Sequence, residues 1–308
     1  EAWAAGATRI SQADAELYVE LAASLCFWCS LPSGGRGDGG TAADGADAGS
    51  GALDTVVAAL RPPPSASPVK HAAEPAEPSE APDVELRAVV EHLKTSSPYL
   101  PSAVAPCFAA ALIGAPAPKA PCVPQSRILD AGLTFLLRGM EARLWESDGD
   151  LHPLYRDWRD GRSFNGLLKG ALHYDGPAVL LVRTSEGQVI GAVSTSWSDG
   201  NGKFSGRPEC FLFSLAPSLR VLRSASRSGN YVYLNSSNKF APRGLGFGGQ
   251  LDFFRLWLDA DFDACYAMET DATYASGTLL PAGGLQAKFE ASQIEIWGFG
   301  GEEALAAQ

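Results

Sequence analysis

Gly244-Leu-Gly246-Phe-Gly248-Gly249 spells GxGxxG, which cradles a dinucleotide pyrophosphate when a strand enters the glycines and a helix leaves them. Here the glycines lead into QLDFFRLWLDAD, an apolar and aromatic run with strand character, so the helix dipole that would hold the phosphates is missing. Asp271 stands where a ribose-binding acid would fall, but without a βαβ unit that spacing is coincidence. The glycines read better as a bend or a close backbone approach before a core strand. Asp259, Asp261 and Asp263 fill positions 1, 3 and 5 of a calcium loop, but Ala264 and Thr270 replace the Gly and Glu that an EF-hand needs. What remains is a solvated acidic turn, with a looser divalent-ion site as the alternative.

Other reactive groups are sparse. The six cysteines (Cys26, Cys29, Cys107, Cys122, Cys210, Cys265) are too scattered for a disulfide scaffold and suit a reducing, cytosolic-type compartment. Cys26 and Cys29 form a lone CxxC inside a helical pattern, which reads as buried helix thiols rather than half a zinc site. His71, His92, His152 and His173 lie at no metal-ligand spacing, so neither metal nor cofactor is expected. There is no GxSxG and no recognisable Ser/His/Asp set. Glu295 in IEIWGF lies among aromatic residues, where burial raises a carboxyl pKa, yet one acid is not a mechanism. Cys210 and Cys265 leave a thiol-dependent redox enzyme as a minor alternative, because a peroxidatic thiol needs exposure and a lowered pKa.

The charge balance points the same way. In 308 residues, 24 Lys and Arg face 35 Asp and Glu, a formal net charge of −11, which argues against DNA binding through overall charge. Residues 1–150 carry ten basic and 19 acidic side chains, whereas 151–308 carry 14 and 16. Between Glu209 and Asp252 there is no acid at all, while Arg220, Arg223, Arg227, Lys239 and Arg243 are interleaved with Tyr231, Tyr233, Phe240 and Phe247. These residues, with Tyr231 among them, form the candidate partner-binding patch, suited to an acidic protein or an RNA phosphate face; solvated loop arginines are the plain alternative.

The elements that must position these residues differ between the two halves. Apolar spacing predicts helices over 11–31, 53–60, 83–94, 102–113 and, most strongly, 126–145, the last capped by Ser126. Low-complexity tracts at 33–51 (Gly, Ala, Asp) and 62–82 (Pro, acidic) interrupt them as disordered loops. The expectation is an all-α region over 1–150 with disordered insertions. From about 151 the period changes. A short helix from Ser163 to His173 precedes strands at 177–183, 189–197, 209–215, 230–235, 252–258 and 289–299, separated by turn residues. Consecutive strands without long helices predict an α+β chain whose C-terminal part is a two-sheet antiparallel β-sandwich with short helices, followed by a tail at 301–308. No run of 18 apolar residues occurs, so no transmembrane helix is expected; the chain opens on Glu1 rather than Met, and a signal peptide or lipid motif is not testable.

With these segments in place, residues 151–300 resemble a TLDc domain. The opening LYRDWRDGRSFNGLL carries Gly161, Ser163 and Phe164, and the first hairpin carries Gly191 and Trp197. ECFLFSLAP carries Phe211 and Phe213, GLGFGG carries Gly244, Gly246 and Gly248, and IEIWGFG carries Glu295, Trp297 and Gly298. Five such segments in order make the likeness specific, and the spelling is nearest to the MTOR-associated, lysosome-linked members. The resemblance implies a non-catalytic protein–protein interaction and regulatory role, bound to a large assembly such as the vacuolar proton ATPase, growth-signalling machinery or the ribosome, and linked to oxidative-stress resistance. It implies a cytoplasmic location, peripheral to a lysosomal or vacuolar membrane. A permanent structural subunit of a cytoskeletal or membrane-associated complex is the alternative.

Overall fold

The runs AVLLVRT and VIGAVS are apolar at nearly every position rather than at alternate ones, so a strand built from them needs cover on both faces. In the computed structural model, which describes residues 9–10, 84–85, 94–99, 125–141, 143–146, 151–281, 285–301 and 304, both runs lie at the centre of a layered β domain. The chain divides into two compact units, Glu1–Ala120 and Pro121–Gln308. In the first, β1 (Arg9–Ile10) pairs antiparallel with β2 (Val84–Glu85). The helix expected over 83–94 is therefore not formed at its start, where backbone pairing takes Val84 and Glu85, although 94–96 make a helical turn. The expected helices at 11–31, 53–60 and 102–113, and the tracts at 33–51 and 62–82, lie outside the described residues.

The second unit opens with α1 (Ala131–Met140) and α2 (Arg143–Glu146). The single helix expected over 126–145 is thus shorter and broken. Asp130, not Ser126, caps α1, its carboxylate accepting the Leu133 N–H at 2.8 Å, and Glu141 ends it by turning to the Arg143 backbone and side chain. There follow β3 (His152–Arg156), α3 (Asp157–Asp160) and α4 (Phe164–Ala171). Ser163 caps α4 as its sequence position requires, accepting from Gly166 N–H at 3.1 Å. The remaining strands are β4 (Ala178–Thr184), β5 (Val189–Ser194), β6 (Phe204–Ser205), β7 (Phe211–Ala216), β8 (Arg220–Leu222), β9 (Val232–Asn235), β10 (Gly244–Phe247), β11 (Leu256–Asp259), β12 (Cys265–Met268), β13 (Gln286–Phe289) and β14 (Ala291–Gly298).

They form two six-stranded antiparallel sheets, ordered β3-β14-β4-β5-β7-β8 and β13-β12-β11-β10-β9-β6. Leu180, Val182, Ile190, Leu212, Ile294 and Ile296 of the first meet Leu234, Leu245, Phe247, Leu256 and Leu258 of the second in one buried cluster. This is the expected two-sheet sandwich. The first sheet is buried on its other face too, with Val179, Leu181, Phe211 and Phe213 at 0–1% exposure, and α1 packs over β7. Gly170 lets α4 touch β3, because a Cβ there would lie 2.0 Å from the Leu154 carbonyl oxygen.

The strand expected over 252–258 begins only at Leu256. Gly248 and Gly249 adopt φ of +66° and +70°, turning the chain so that Gln250 and Phe253 pair locally and Phe254 folds back over β10. Gly246 faces away from the main core, opposite Tyr233 and Trp257, and Phe254 lies across it. The Phe254 ring stacks on Trp257 at 4.4 Å and meets Tyr233 at 4.8 Å, a second small core on the outer side of the sheet. The glycine-rich segment thus seats rings, each ring pair contributing about 0.5–1.5 kcal/mol beyond its area. A Cβ on Gly246 would sit 2.6 Å from Phe254. Gly246→Ala is expected to lower the unfolding free energy by about 1–3 kcal/mol in a urea titration. Gly229→Ala, where a Cβ meets nothing within 4 Å, should leave it unchanged; equal midpoints for the two variants would remove the ring-over-glycine account.

Candidate functional site

β14 lies between β3 and β4, and strand alternation sends Ile294 and Ile296 into the sandwich core and Glu295 and Trp297 to the opposite face. Glu295 is fully buried there. One carboxylate oxygen accepts the Arg127 backbone N–H and the Trp158 indole N–H, each at 2.9 Å. The other accepts the Trp297 indole N–H at 2.9 Å and the Ser126 hydroxyl. Cations surround the cluster: Arg127 lies over the Trp158 ring at 4.8 Å, and Arg156 lies over Trp158 and Trp297 at 5.3 and 5.6 Å. The same region grips the chain before α1, since Arg183 donates to the Ile128 carbonyl at 2.9 Å and Arg156 to that of Gln125 at 3.4 Å. A buried carboxylate survives desolvation only when its lone pairs are taken up. Glu295 has four donors for two oxygens, so its chemistry is that of a latch rather than of an acid or base with a free lone pair. Nearby Asp157 has its carboxyl pKa pushed up by burial, opposed by hydrogen bonding and by Arg162, whose guanidinium is 3.4 Å away.

The remaining motif residues do structural work. Gly161 ends α3 at φ +85°, and Phe164 is buried edge-on to Phe262. Gly191 pairs across the sheet with Phe213, whose ring lies where a Cβ would be, 2.5 Å away. Gly298 likewise makes room for the Tyr174 ring, and Gly248 for Tyr274. Asp271 accepts the Gly249 N–H at 2.9 Å and those of Thr273 and Tyr274. It also pairs at 3.5 Å with Arg255, a fully buried guanidinium that donates to the Ala275 and Gly277 carbonyls and whose pKa burial lowers. Asp259 accepts the backbone N–H groups of Asp261 and Ala264, which makes 259–263 a self-bonded turn with Asp261 and Asp263 exposed.

The basic segment does not gather into one face. Arg220 donates to the carbonyl and hydroxyl of Thr278. Arg223 donates to the Met140 carbonyl at 2.9 Å and lies over Phe211 at 4.8 Å. Tyr231 is 6% exposed, its hydroxyl accepting from Ser224 and its ring edge-on to Tyr274. Arg227 is exposed on the loop before β9, whereas Lys239 and Arg243 are exposed on the loop after it, at the other end of the strand. Lys239, Phe240 and Arg243 share that one loop, with the Arg243 guanidinium over the Phe164 ring at 5.9 Å and donating to the Asn165 side chain at 3.4 Å. Of the four interleaved aromatics only Phe240 faces solvent, while Tyr231, Tyr233 and Phe247 are buried. Its signal in the sequence is its setting among turn residues, SSNKFAPRG, rather than in a strand.

The thiols are poorly placed for redox work. Cys210 and Cys265 are both buried, and burial together with the Asp259 charge pushes the Cys265 thiol up to about 12. An open groove of about 310 Å³ passes Cys265, rimmed by Glu186, Asp263, Lys288 and Glu290. Two outcomes are expected. Glu295→Gln, which sets an amide N–H against donors, should cost about 3–5 kcal/mol in urea unfolding, as when one side of a buried charged network is removed. Iodoacetamide at pH 8, followed by site-resolved mass spectrometry, should leave Cys210 and Cys265 unlabelled until urea unfolds the domain; rapid native labelling of either would contradict their burial.

The family model described as the TLDc domain matches residues 125–300. The chain is 37% identical over 142 residues to the MTOR-associated protein MEAK7 of Danio rerio, covering 46% of this chain and 30% of that protein. It is 36% identical over 151 residues to MTOR-associated protein MEAK7 of Homo sapiens, covering 47% and 32%. To Oxidation resistance protein 1 of Rattus norvegicus it is 28% identical over 152 residues, covering 47% and 16%. The chain therefore spans about a third of the length of the MTOR-associated relatives it matches. The matched interval takes in more than half of the chain, including the Glu295 latch, the glycines under the aromatic rings and both sheets: the chain belongs to the TLDc domain family.

Proposed function

We propose that this chain is a non-catalytic interaction and regulatory protein of growth signalling, with a link to oxidative-stress resistance. The observation that carries the reading is its 36% and 37% identity to two proteins named as MTOR-associated, with a weaker likeness to proteins named for oxidation resistance. The geometry supports it: the acid with the most elaborate surroundings, Glu295, is committed to four donors, and the Cys265 thiol is buried and pushed up to about 12. What the β domain offers a partner is its loops.

The partner in this reading is a large assembly. Subunits of the vacuolar proton-pumping ATPase come first and ribosomal machinery second, met from the cytoplasmic side at the periphery of a lysosomal or vacuolar membrane. Among the described residues no helix is long and apolar enough to cross a bilayer, which suits peripheral attachment. Chemical cross-linking of the tagged full chain in native extract, read by mass spectrometry, is expected to join residues of 125–300 to several subunits of one assembly, with yield falling as salt rises. A chain that stays uncross-linked in every fraction, or that turns over peroxide through a thiol, would overturn the proposal.

A further inference from the structure

Phe240 is 101% exposed, more than any other large apolar residue described. A lone exposed apolar side chain is ordinary. The loop beneath it is not, because it is held from three sides. Asn235, itself fully buried, donates its side-chain amide to the carbonyls of Asn238, Ala241 and Pro242 at 3.0–3.1 Å and accepts the Asn238 N–H at 2.9 Å. The Tyr233 hydroxyl donates to the Pro242 carbonyl at 2.7 Å. Asn238 accepts the Phe240 N–H at 2.9 Å and donates to the Asn201 carbonyl of the neighbouring loop. The backbone on both sides of the ring is therefore fixed while the ring meets only water. Lys239 precedes it directly and Arg243 follows three residues on, exposed although its guanidinium rests over the Phe164 ring at 5.9 Å and donates to Asn165 at 3.4 Å. Lys203 is exposed on the adjoining loop. Asp199 on that loop is engaged by the Ser236 hydroxyl and the Asn201 N–H, and the acidic 259–263 turn lies beside Arg243, whose carbonyl accepts the Ala260 N–H.

Resting on the interaction reading above, we propose that residues 236–243 are a preorganised docking tip, in which Phe240 enters an apolar pocket rimmed by carboxylates on a protein partner and Lys239 and Arg243 supply the opposite charge. An aromatic ring beside cations, desolvated in a pocket, is the composition of an interface hot spot, and a loop already held in place loses little freedom on binding. A bilayer fits less well. Ser236, Ser237, Asn238 and Lys239 precede Phe240 and only the small, half-buried Ala241 and Pro242 follow it, whereas membrane attachment needs a wider apolar face.

The test places p-benzoylphenylalanine at position 240 of the full chain, with a second probe at position 186 beside the open groove, and photolyses each in native extract. Position 240 is expected to give one protein adduct, with the cross-linked peptide carrying apolar and acidic residues. Lys239→Glu alone, or with Arg243→Glu, should reduce its yield about tenfold or more. Phe240→Ser should lose capture of the same protein by about tenfold or more without lowering the melting temperature. An adduct indifferent to charge reversal overturns the proposal. An adduct from position 186 but not 240 overturns it while leaving the interaction reading in place, and none from either position counts against both. Phe240-dependent binding to phosphatidylserine–phosphatidylcholine vesicles without a protein adduct would assign the tip to a membrane instead.

Discussion

The β domain hangs on one buried carboxylate. Glu295 sits at 0% exposure in the second strand of a six-stranded sheet, where an unpaired charge would be intolerable. Its four donors come from the segment before α1 (Ser126, Arg127), from α3 (Trp158) and from β14 itself (Trp297). Satisfying the charge forces those pieces into one arrangement. Neighbouring arginines extend the constraint by holding the carbonyls of 125–128, so the approach to α1 is fixed by backbone hydrogen bonds as well as by its leucines. Such a network is weak evidence for stability in itself and better evidence for a single, specified geometry.

The same economy recurs on the other sheet. Arg255 and Asp271, both buried, tie the glycine turn at 248–249 to the loop at 271–277 through backbone donors and acceptors. Arg220 and Arg223 spend their guanidinium groups on Thr278 and on the end of α1. Charged side chains that look like a binding surface in one dimension thus hold loops to the scaffold in three. With so much polar chemistry turned inward, the proposed recognition is left to the loop tips, and the 236–243 loop presents an aromatic ring on a braced backbone.

Much of the scaffold was legible beforehand. The 178–194 hairpin follows from two apolar runs around the turn SEGQ, and the helix at 164–171 from a serine cap ahead of apolar spacing. The misreadings share a cause. Ser126 does cap a turn, its hydroxyl accepting the Ile128 and Leu129 N–H groups at 2.9 and 2.7 Å while donating to Glu295, 169 residues away, but the helix itself starts later, under the Asp130 cap. DFFRLWL looked like one strand because its composition is right, but Phe254 is needed over Gly246, so the chain turns first. In both, contacts made by the folded chain override a local preference that is worth only about 1 kcal/mol.

Local pattern alone therefore settled what kind of domain this is: apolar period, turn residues and ordered motifs specify two antiparallel sheets, because those signals act over a few neighbouring residues. Tertiary structure alone decided which charges and rings are spent inside. Glu295 and Tyr231 are buried, Arg223 is tied to the Met140 carbonyl, and Phe240 is exposed, because burial and pairing depend on what the fold lays against a residue.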